Sequence, residues 1–502
     1  MTTQHNARAT RREWIGLAVI ALPCVLYSMD LTVLNLAVPA LSADLKPSAA
    51  QLLWIIDIYG FLVAGSLITM GTLGDRIGRR RLLLIGAAAF GAASVVAALS
   101  SSAEMLIAAR ALLGIAGATL APSTLSLIRN MFLDPQQRTI AIGVWIMSYS
   151  AGGAIGPVVG GLVLEYFRWN AVFLVGVPVM ALLLVLGPML LPEYRDPKAG
   201  KLDLPSAALA LVAVLAAIYG LKRIAENGLA WPYLLCIGTG AALGAIFIRR
   251  QRHLAYPLVE LGLFRSAAFS ASLATYMLST FVAFGAFLFI SQYLQLVLGL
   301  SPLRAGLWLL PFFFGFVAGS MLSPAIVRWI PAAYAMGAGL LLAAVGFAVL
   351  TRVEEFGLAA IVVGSLISSL GLSPVFTLTN DMIVSTVPPE RAGAASAVSE
   401  TGSELGGALG IAVLGSIGTA VYRSAMIDVV PTGVPVAAAD VARSTLGGAT
   451  AVAQSLPEPI GTTLLHTARG AFAQALEVTI VVSAVVAVMT ALLTVVLRRR
   501  GD

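Results

Sequence analysis

A chain of 502 residues that is 59% hydrophobic and only 11% charged is too apolar for a soluble globular protein, in which charged residues make up about a quarter of the sequence. Its 31 Lys and Arg residues exceed its 24 Asp and Glu residues, but they are dispersed between apolar stretches, which excludes a nucleic-acid-binding domain with its positive charge on one face. The two cysteines and three histidines lack the spacing of a disulfide framework, a metal site or a histidine-based triad. The composition predicts an all-α membrane protein, and we expect neither enzymatic activity nor a metal or cofactor.

Apolar stretches long enough to cross ~30 Å of hydrocarbon follow one another along almost the whole chain. Their even number returns the chain to the side on which it starts, and most Lys and Arg residues fall on that side, which is cytoplasmic by the positive-inside rule. We therefore expect a multi-pass protein of the bacterial inner membrane with both termini in the cytoplasm. The fourteen predicted spans cover residues 14–40, 51–71, 82–100, 105–130, 139–164, 168–191, 205–224, 232–249, 268–298, 303–327, 332–351, 357–384, 393–422 and 472–497.

Ionisable residues inside the first spans are functional candidates, because such residues are costly in a membrane. Asp30 lies in the first span and Asp57 in the second, and a short outer connection joins the two, so we predict that the carboxylates approach one another. Arg110 in the fourth span is the only basic residue that we place deep in a span. We expect no lysine at such a position. We therefore expect a net acidic cavity that favours cationic substrates. A structural hydrogen bond to a neighbouring helix is the alternative role for each acid.

A motif rich in glycine and arginine separates the second and third predicted spans. Glycines let two helices turn back over a short distance, Asp75 is suited to meet a helix N-terminus, and the arginines favour the cytoplasmic face. The motif predicts a tight charged hairpin at the membrane surface; a generic basic loop is the alternative. Its pattern G-x-x-G-D-R-x-G-R-R-R comprises Gly71, Gly74, Asp75, Arg76, Gly78, Arg79, Arg80 and Arg81.

The fifth predicted span carries an unusually regular set of glycines. Small residues permit the close approach of another helix, and a proline inside a helix removes one backbone hydrogen bond and allows a kink. A plain helix-packing role is the alternative to a part in transport. The positions are Gly143, Gly152, Gly156, Pro157, Gly160 and Gly161.

The same glycine pattern recurs in the thirteenth span and indicates a duplication. Residues Gly152 to Gly156 reappear as Gly406 to Gly410, 254 positions later (406 − 152 = 254). Tandem six-helix halves with a substrate path between them are a known transporter design, although small residues also recur by chance in membrane helices. The predicted layout is a cytoplasmic N-terminus (1–13), a six-helix bundle (14–200), two inserted helices with linkers (201–255) and a second six-helix bundle (256–502) with a long extracellular loop near 423–470.

Two further acids lie four residues apart in the thirteenth span. Glu400 and Glu404 share one face of a helix at that spacing, about 6 Å apart. Two like charges so close resist joint ionisation, which suits the pair to carrying a proton.

Aromatic side chains in the spans are candidate contacts for a lipophilic cation, because a cation binds favourably over an aromatic face. For any one of them, packing or exposure to lipid is the more common role. The candidates are Trp54, Tyr59, Trp145, Tyr149, Tyr276, Phe284, Trp308 and Phe312.

These motifs resemble those of the fourteen-helix drug:proton antiporter family of the major facilitator superfamily over nearly the whole chain. The 71–81 motif resembles the loop after that superfamily's second helix, and the glycines of the fifth span resemble the antiporter motif of its exporters. Further matching landmarks are Asp30 to Asn35 with Pro39, Arg110 with Gly114 and Gly117, Arg168 and Trp169 with Phe173 and Pro178, Pro257 and Leu258 with Leu263 to Arg265, and Gln292 to Gln295 with Ser301, Pro302 and Gly306.

The resemblance implies a major facilitator fold of two six-helix bundles plus two inserted helices. It also implies roles: Arg110 would relay protons, Asp75, Arg76 and Arg79 would form an inner gate, and the four acids in the spans would couple protons or recognise cations. One departure is that the charged loop expected in the second half is reduced to Arg328, so the gate is expected to be asymmetric.

We therefore expect a monomeric multidrug efflux pump that exchanges protons for lipophilic, mostly cationic drugs and dyes by alternating access. Its partners would be these small molecules, protons and the lipid bilayer, with no nucleic acid. Two alternatives remain open: export of a lipid or cell-envelope precursor, and a membrane sensor or scaffold that transports nothing.

Overall fold

The computed structural model describes residues 8–195, 203–254, 257–387, 392–427, 429–431 and 433–499. Within these ranges, fourteen helices are long and apolar enough to cross a membrane, which confirms the predicted number. We number them spans 1 to 14 in chain order, so odd spans run away from the side of the termini and even spans return to it. They are Arg11–Leu45, Ala49–Ile77, Arg79–Ala98, Ala103–Met131, Gln136–Tyr166, Ala171–Leu190, Leu204–Asn227, Trp231–Gln251, Ala267–Val297, Pro302–Ile326, Ala332–Leu350, Leu358–Ile383, Ala395–Met426 and Ile460–Val495.

Some spans are built from two helical pieces, and some helices continue beyond their span. Span 4 divides into Ala103–Gly117 and Leu120–Met131, and span 6 into Ala171–Leu174 and Gly176–Leu190. Span 9 joins the α-helix Ala267–Gln292 to a π-helical turn, Tyr293–Val297. The helices that contain spans 5, 12, 13 and 14 are Pro135–Tyr166, Leu358–Ser385, Ala392–Met426 and Ile460–Arg499, and the connections contain Leu261–Arg265, Val353–Phe356, Val436–Ser444 and Leu446–Ser455.

Polar caps fix where the first two spans begin. Thr10 forms a capping box with Glu13 before span 1, and Ser48 forms one with Gln51 before span 2. Each box satisfies backbone N–H groups that the first helical turn leaves without a partner. Between the two helices, Lys46 ends span 1 in a left-handed conformation. The connection between spans 1 and 2 is therefore as short as the sequence predicted.

The repeated glycines make equivalent contacts in the two parts of the chain. A side chain on Gly152 or Gly156 would meet the backbone of span 1 at Val25 or Met29. A side chain on Gly410 would meet the backbone of span 9 at Phe281. Span 5 thus lies on span 1 as span 13 lies on span 9, and in both places a side chain larger than hydrogen would force the helices apart. This equivalence supports the predicted duplication.

Spans 1 to 6 and spans 9 to 14 pack mainly within their own group, and the two groups meet where span 2 lies on span 13 and span 5 on span 10. Gly161 approaches Pro302 and Leu303, and Gly415 approaches Leu53. All five residues lie in the parts of their spans remote from the termini. The structure is therefore closed between the groups on the side opposite the termini. The exact domain boundaries stay predictions, since the linkers at 196–202 and 255–256 are outside the described residues.

The inserted helices, spans 7 and 8, form a hairpin against this junction. They approach each other closely, because a side chain on Gly220 would meet the carbonyl oxygen of Tyr233 at 2.5 Å. Span 7 also packs against both groups, with Ile218 in one apolar cluster with Phe61 of span 2 and Ala412 of span 13. Span 8 lies outside, with only 6% of its most apolar stretch buried. The hairpin therefore covers the junction of spans 2 and 13 with one helix and exposes the other.

The connection before span 14 is shorter and more structured than the predicted loop near 423–470. The helix of span 14 begins at Ile460 rather than near 472, because its first turns carry polar residues that a hydropathy pattern assigns to a loop. The preceding helix Leu446–Ser455 contacts span 1, where a side chain on Gly447 would meet Ser42. In addition, the Tyr422 hydroxyl donates to the Ala442 carbonyl oxygen over 2.9 Å. The connection thus forms a helical cap on the side opposite the termini.

Candidate functional site

Arg110 of span 4 and Asp30 of span 1 form an ion pair in the interior. The Arg110 Nη1 atom lies 2.5 Å from Asp30 Oδ2, and their side chains are 1% and 16% exposed. Arg110 Nε also donates to the Ile55 carbonyl oxygen over 3.2 Å, and the guanidinium lies 4.7 Å from the ring centroid of Tyr59. One arginine thus holds spans 1, 2 and 4 together and neutralises Asp30.

Asp57 has a basic partner that the sequence analysis did not identify. The Lys222 Nζ atom lies 2.6 Å from Asp57 Oδ2, and both side chains are fully buried. The ammonium group also lies 3.7 Å from the ring centroid of Trp54. The expectation that no lysine lies deep in a span was therefore wrong. Span 7 was predicted to end at residue 224, which placed Lys222 at the membrane surface, whereas the helix continues to Asn227.

The two aspartates are therefore neutralised separately. Asp30 pairs with Arg110 and Asp57 pairs with Lys222, so each carboxylate has its own cation. Two neutral ion pairs stand where two uncompensated anions were expected. The predicted net acidic interior must therefore come from the acids of span 13.

Glu404 of span 13 is joined to span 1 by Tyr27, a residue that the sequence analysis overlooked. The buried Tyr27 hydroxyl donates to Glu404 Oε1 over 2.6 Å. Glu400 and Glu404 are both partly buried, and among the described residues neither takes part in an ion pair. They are the strongest candidates for uncompensated acids inside the spans. Tyr27 lies three residues before Asp30, but nothing in its sequence context distinguishes it from a packing residue.

Three of these ionisable side chains meet at one small cavity between the two groups of spans. Asp57, Arg110 and Glu404 line it together with Ser403 and Phe284. Its volume is about 40 Å³, whereas a single water needs roughly 10–15 Å³ and drug-sized ligands occupy pockets of roughly 300–1,000 Å³. In this arrangement the cavity admits a few water molecules, which can carry a proton between the acids, and excludes a drug.

Five of the eight candidate aromatic residues fall into two clusters. Tyr149 packs edge-on against Tyr27 at 5.6 Å and against Trp145 at 4.9 Å between ring centroids, and Tyr59 lies 6.0 Å from Tyr27. We call Tyr27, Tyr59, Trp145 and Tyr149 the tyrosine cluster. A second cluster lies in spans 9, 10 and 12 and contains Tyr276, Phe287, Phe312, Phe313, Phe316 and Phe376.

The remaining aromatic candidates have separate positions. Phe284 lines the cavity and packs on Gly407, and Trp54 covers Lys222. Trp308 is exposed at the surface of span 10. Only Phe284 among these three contacts the acid-lined cavity.

The glycines of span 5 face two different helices. A side chain on Gly152, Gly156 or Gly160 would collide with span 1. A side chain on Gly161 would lie 2.7 Å from the Pro302 carbonyl oxygen of span 10. Three of the six motif positions thus fix span 5 to its own group, and Gly161 lies at the contact between the groups.

The other two motif positions differ from this pattern. The carbonyl group of Pro157 lies against Gly306 of span 10, while Gly143 has open space around it. The helix continues through Pro157, so the proline stands at the crossing with span 10.

The motif between spans 2 and 3 is mostly helical, with Gly71, Gly74 and Asp75 inside span 2 and Gly78 as its only non-helical residue. Asp75 accepts a hydrogen bond from Arg79 Nε over 2.8 Å, and Arg79 Nη1 donates to the Pro122 carbonyl oxygen over 3.2 Å. Arg76 is exposed. The tight turn predicted here is present, and the charged residues tie its two helices to span 4.

The helix N-terminus at this turn is capped by Glu193 instead of Asp75. Glu193 accepts from the backbone N–H groups of Arg80 and Arg81 over 3.1 and 3.2 Å, and the backbone N–H of Arg79 donates to the Tyr194 carbonyl oxygen. The expectation that Asp75 meets the helix end was therefore wrong. A residue after span 6, more than a hundred positions away, satisfies these backbone groups, and a local pattern could not identify it.

Comparison with known families places this arrangement among transport proteins. Residues 20–411 match the model of the Major Facilitator Superfamily. The multidrug efflux pump LfrA of Mycolicibacterium smegmatis is 45% identical over 500 residues, which cover 99% of this chain and 99% of that protein. The methyl viologen resistance protein SmvA of Salmonella typhimurium is 34% identical over 92% of this chain and 93% of its own length.

Solved structures resemble the fold over nearly its full length. A bacterial homologue of the human lysosomal transporter Spinster, in an inward-facing and unoccupied conformation, superposes with a TM-score of 0.68 and 19% identity over 98% of both chains. A POT family transporter in complex with 5-aminolevulinic acid gives a TM-score of 0.62 with 15% identity over 96% of this chain and 95% of the other. At these identities the likeness concerns the fold alone.

Proposed function

This chain belongs to the Major Facilitator Superfamily and is a multidrug efflux transporter rather than an enzyme, and we propose that it exchanges inward-moving protons for lipophilic, mostly cationic drugs and dyes. The relative SmvA is named for resistance to methyl viologen, a cation, which supports this substrate class. The proposed setting is the bacterial inner membrane with both termini in the cytoplasm, because most Lys and Arg residues lie on that side.

The observation that carries the proposal is the difference between the four membrane acids. Asp30 and Asp57 are neutralised by Arg110 and Lys222. Glu404 instead lines the cavity and receives only a neutral donor, the hydroxyl of Tyr27. A proton and a positively charged drug would compete for this carboxylate, since either one removes its uncompensated charge. Such competition is the requirement for coupling inward proton movement to outward drug movement.

The closed side follows from the packing. Contacts between the two groups of spans occur opposite the termini, at Gly161 with Pro302 and at Gly415 with Leu53. With the termini in the cytoplasm, a drug would enter from the inside once the cavity has widened, because its present volume of about 40 Å³ admits only water. Rocking of one group against the other would then open the outer side, as in other transporters with repeated halves. The glycines at the crossings allow close contact without large side chains that would interlock the two surfaces.

The proton gradient can supply the required free energy. A potential of 100 mV contributes about 2.3 kcal/mol per charge moved, and each unit of pH difference contributes about 1.36 kcal/mol per proton. Exchange of one proton for one monovalent cation moves no net charge, so it would use the pH difference alone. With two protons per monovalent cation, the potential would contribute as well.

Dye efflux under separately controlled gradients tests the proposal. Cells that contain the protein are loaded with a fluorescent cationic dye, or inside-out vesicles are given the dye in the medium, and dye transport is recorded after nigericin collapses the pH difference or valinomycin collapses the potential. We expect export to slow when the pH difference is removed and to stop when both gradients are collapsed. Undiminished export with both gradients collapsed would refute proton coupling, and vesicles that move no dye under either gradient would refute cation export.

A further inference from the structure

The inserted hairpin brings a positive charge to the wall of the acid-lined cavity. Lys222 lies on span 7, outside the repeated six-span groups, and reaches Asp57 of span 2 with Nζ 2.6 Å from Oδ2. Asp57 lines the cavity on its other side. The lysine therefore approaches from the junction of spans 2 and 13, while the carboxylate it neutralises remains next to the space that connects the acids.

The surroundings of Lys222 indicate a fixed counter-ion and not a mobile surface charge. Both partners of the ion pair are fully buried, and the ring of Trp54 covers the ammonium group at 3.7 Å. A few residues along span 7, Glu226 accepts from the backbone N–H of Ala50 at the start of span 2. Removal of one partner of a buried pair leaves an uncompensated charge that is strongly destabilising. The pair therefore holds together as long as span 7 stays on span 2.

The Asp57–Lys222 pair lowers the number of uncompensated acids around the cavity. Arg110 and Lys222 cancel Asp30 and Asp57, which leaves Glu400 and Glu404 as the unpaired acids among the described residues of the site. A carboxylate without a counter-ion either takes up a proton or binds another cation. Without Lys222, Asp57 would become a third such acid, bordered by Arg110 on span 4 and Glu404 on span 13.

We propose that Lys222 is a built-in counter-ion that withholds Asp57 from protons and cationic drugs, and that it thereby determines the charge of the substrates the transporter prefers. This inference rests on the proposed export of cationic drugs. Lys222 acts through Asp57 and not on the drug, so it is a positioning residue. The inserted hairpin then serves to limit the number of free acids in the site.

The test measures drug binding to the purified full-length protein by titration calorimetry, with tetraphenylphosphonium as the monocation and methyl viologen as the dication. In Lys222→Gln, each positive charge on a ligand gains attraction to the freed Asp57. The affinity ratio of dication to monocation should therefore rise about tenfold, as expected for one added unit charge ~10 Å away at an effective dielectric constant of about 20. The rise should be larger at pH 8 than at pH 6, because at lower pH a proton competes for Asp57.

Two further variants and one control separate this effect from misfolding. Asp57→Asn leaves Lys222 unpaired and should lower the same ratio, and combining it with Lys222→Gln should return the ratio to that of the wild type. The matched control is Arg223→Gln, which removes the same charge from the next residue of span 7, whose side chain is 39% exposed and pairs with Glu226. We expect no change in its ratio, since Arg223 does not contact Asp57.

The outcomes are distinguishable. If the wild type binds neither ligand, the proposed export of cations fails. If the wild type binds both and Lys222→Gln leaves the ratio unchanged, or Arg223→Gln raises it equally, the counter-ion inference fails while the proposed function stands. If Lys222→Gln cannot be purified, Asp57→Asn and the double variant decide: a ratio that does not fall in the former and recover in the latter overturns the inference.

Discussion

The hydroxyl of Tyr27 donates a hydrogen bond to Glu404 over 2.6 Å and so links the first span of one group to the thirteenth span in the other. This contact connects the unpaired acid of the cavity with the surface along which the two groups must move. Protonation of Glu404, or its pairing with a drug, would change the strength of this bond. Binding of a proton or a drug to Glu404 would therefore influence how the two groups of spans are positioned relative to each other.

Tyr27→Phe should weaken the closed contact between the groups without unfolding the protein. The hydrogen bond contributes about 0.5–1.5 kcal/mol when Glu404 is protonated and about 1.5–3 kcal/mol when it is ionised, so its loss should shift the population toward the state open opposite the termini. Thiol labelling of a cysteine placed at Leu53, which faces Gly415 across the junction, should become several-fold faster. Tyr149→Phe is the control, because its buried hydroxyl makes no hydrogen bond to the other group of spans; equal labelling rates in both variants would contradict the assignment.

Arg110→Gln should abolish export and destabilise the protein, because it leaves Asp30 inside the membrane without its cation. Breaking a buried ion pair in this way costs about 3–5 kcal/mol, so we expect a clearly lower melting temperature in detergent. Adding Asp30→Asn removes the stranded charge and should recover most of the thermal stability. Export should remain absent in this double variant if the pair also takes part in transport. Recovered dye efflux would show that the pair is only structural.

Gly161→Ala should hinder closure opposite the termini. An added methyl group would lie 2.7 Å from the Pro302 carbonyl oxygen and 2.8 Å from Leu303 Cα, which are backbone atoms that cannot rotate away. We expect at least a tenfold slower dye efflux with normal membrane insertion. Gly153→Ala provides the comparison, since its methyl group would contact Phe313 and Ser28 at an ordinary 3.5 Å and should leave efflux near the wild-type rate. Similar rates for both variants would contradict a close crossing at Gly161.

Gly78→Ala should destabilise the turn between spans 2 and 3. Gly78 has φ +113, a backbone conformation that disfavours other residues, and an added methyl group would lie 2.5 Å from Glu193 Oε1. Such strain costs about 1–3 kcal/mol, and displacement of Glu193 would also uncap span 3. Thermal unfolding in detergent measures the effect. Gly143→Ala is the counterpart, because it has open space around it within a helix and should be neutral or slightly stabilising; an equal loss in both would rule out the local explanation.

The sequence predicted the fold well because a membrane helix is visible in its own residues. Length and hydropathy were enough for fourteen spans, and the repeated glycines predicted that spans 5 and 13 approach other helices closely. The limits of spans were less certain where polar residues extend a helix beyond the hydrocarbon. Ile460 begins a helix that the apolar pattern placed twelve residues later (472 − 460 = 12), and Asn227 ends one that continues past Lys222.

The partners of the charged side chains could not be predicted in the same way. Lys222 and Asp57 are 165 residues apart in the chain, and only the packing of span 7 against span 2 brings them together. Glu193 similarly reaches a turn 113 residues before it. The acids were identifiable as unusual residues in a membrane, but which of them remain unpaired depends on tertiary contacts that one sequence does not contain.

The most direct test of proton-for-drug exchange is drug-stimulated proton release from the purified protein in weakly buffered detergent, compared between the wild type and Glu404→Gln. Glu226→Gln serves as the control, since it removes an equal charge from a carboxylate at the edge of span 7 that already pairs with Arg223. We predict that a cationic dye releases protons from the wild type and from the control but not from Glu404→Gln. Proton release from Glu404→Gln equal to that of the wild type would contradict the account.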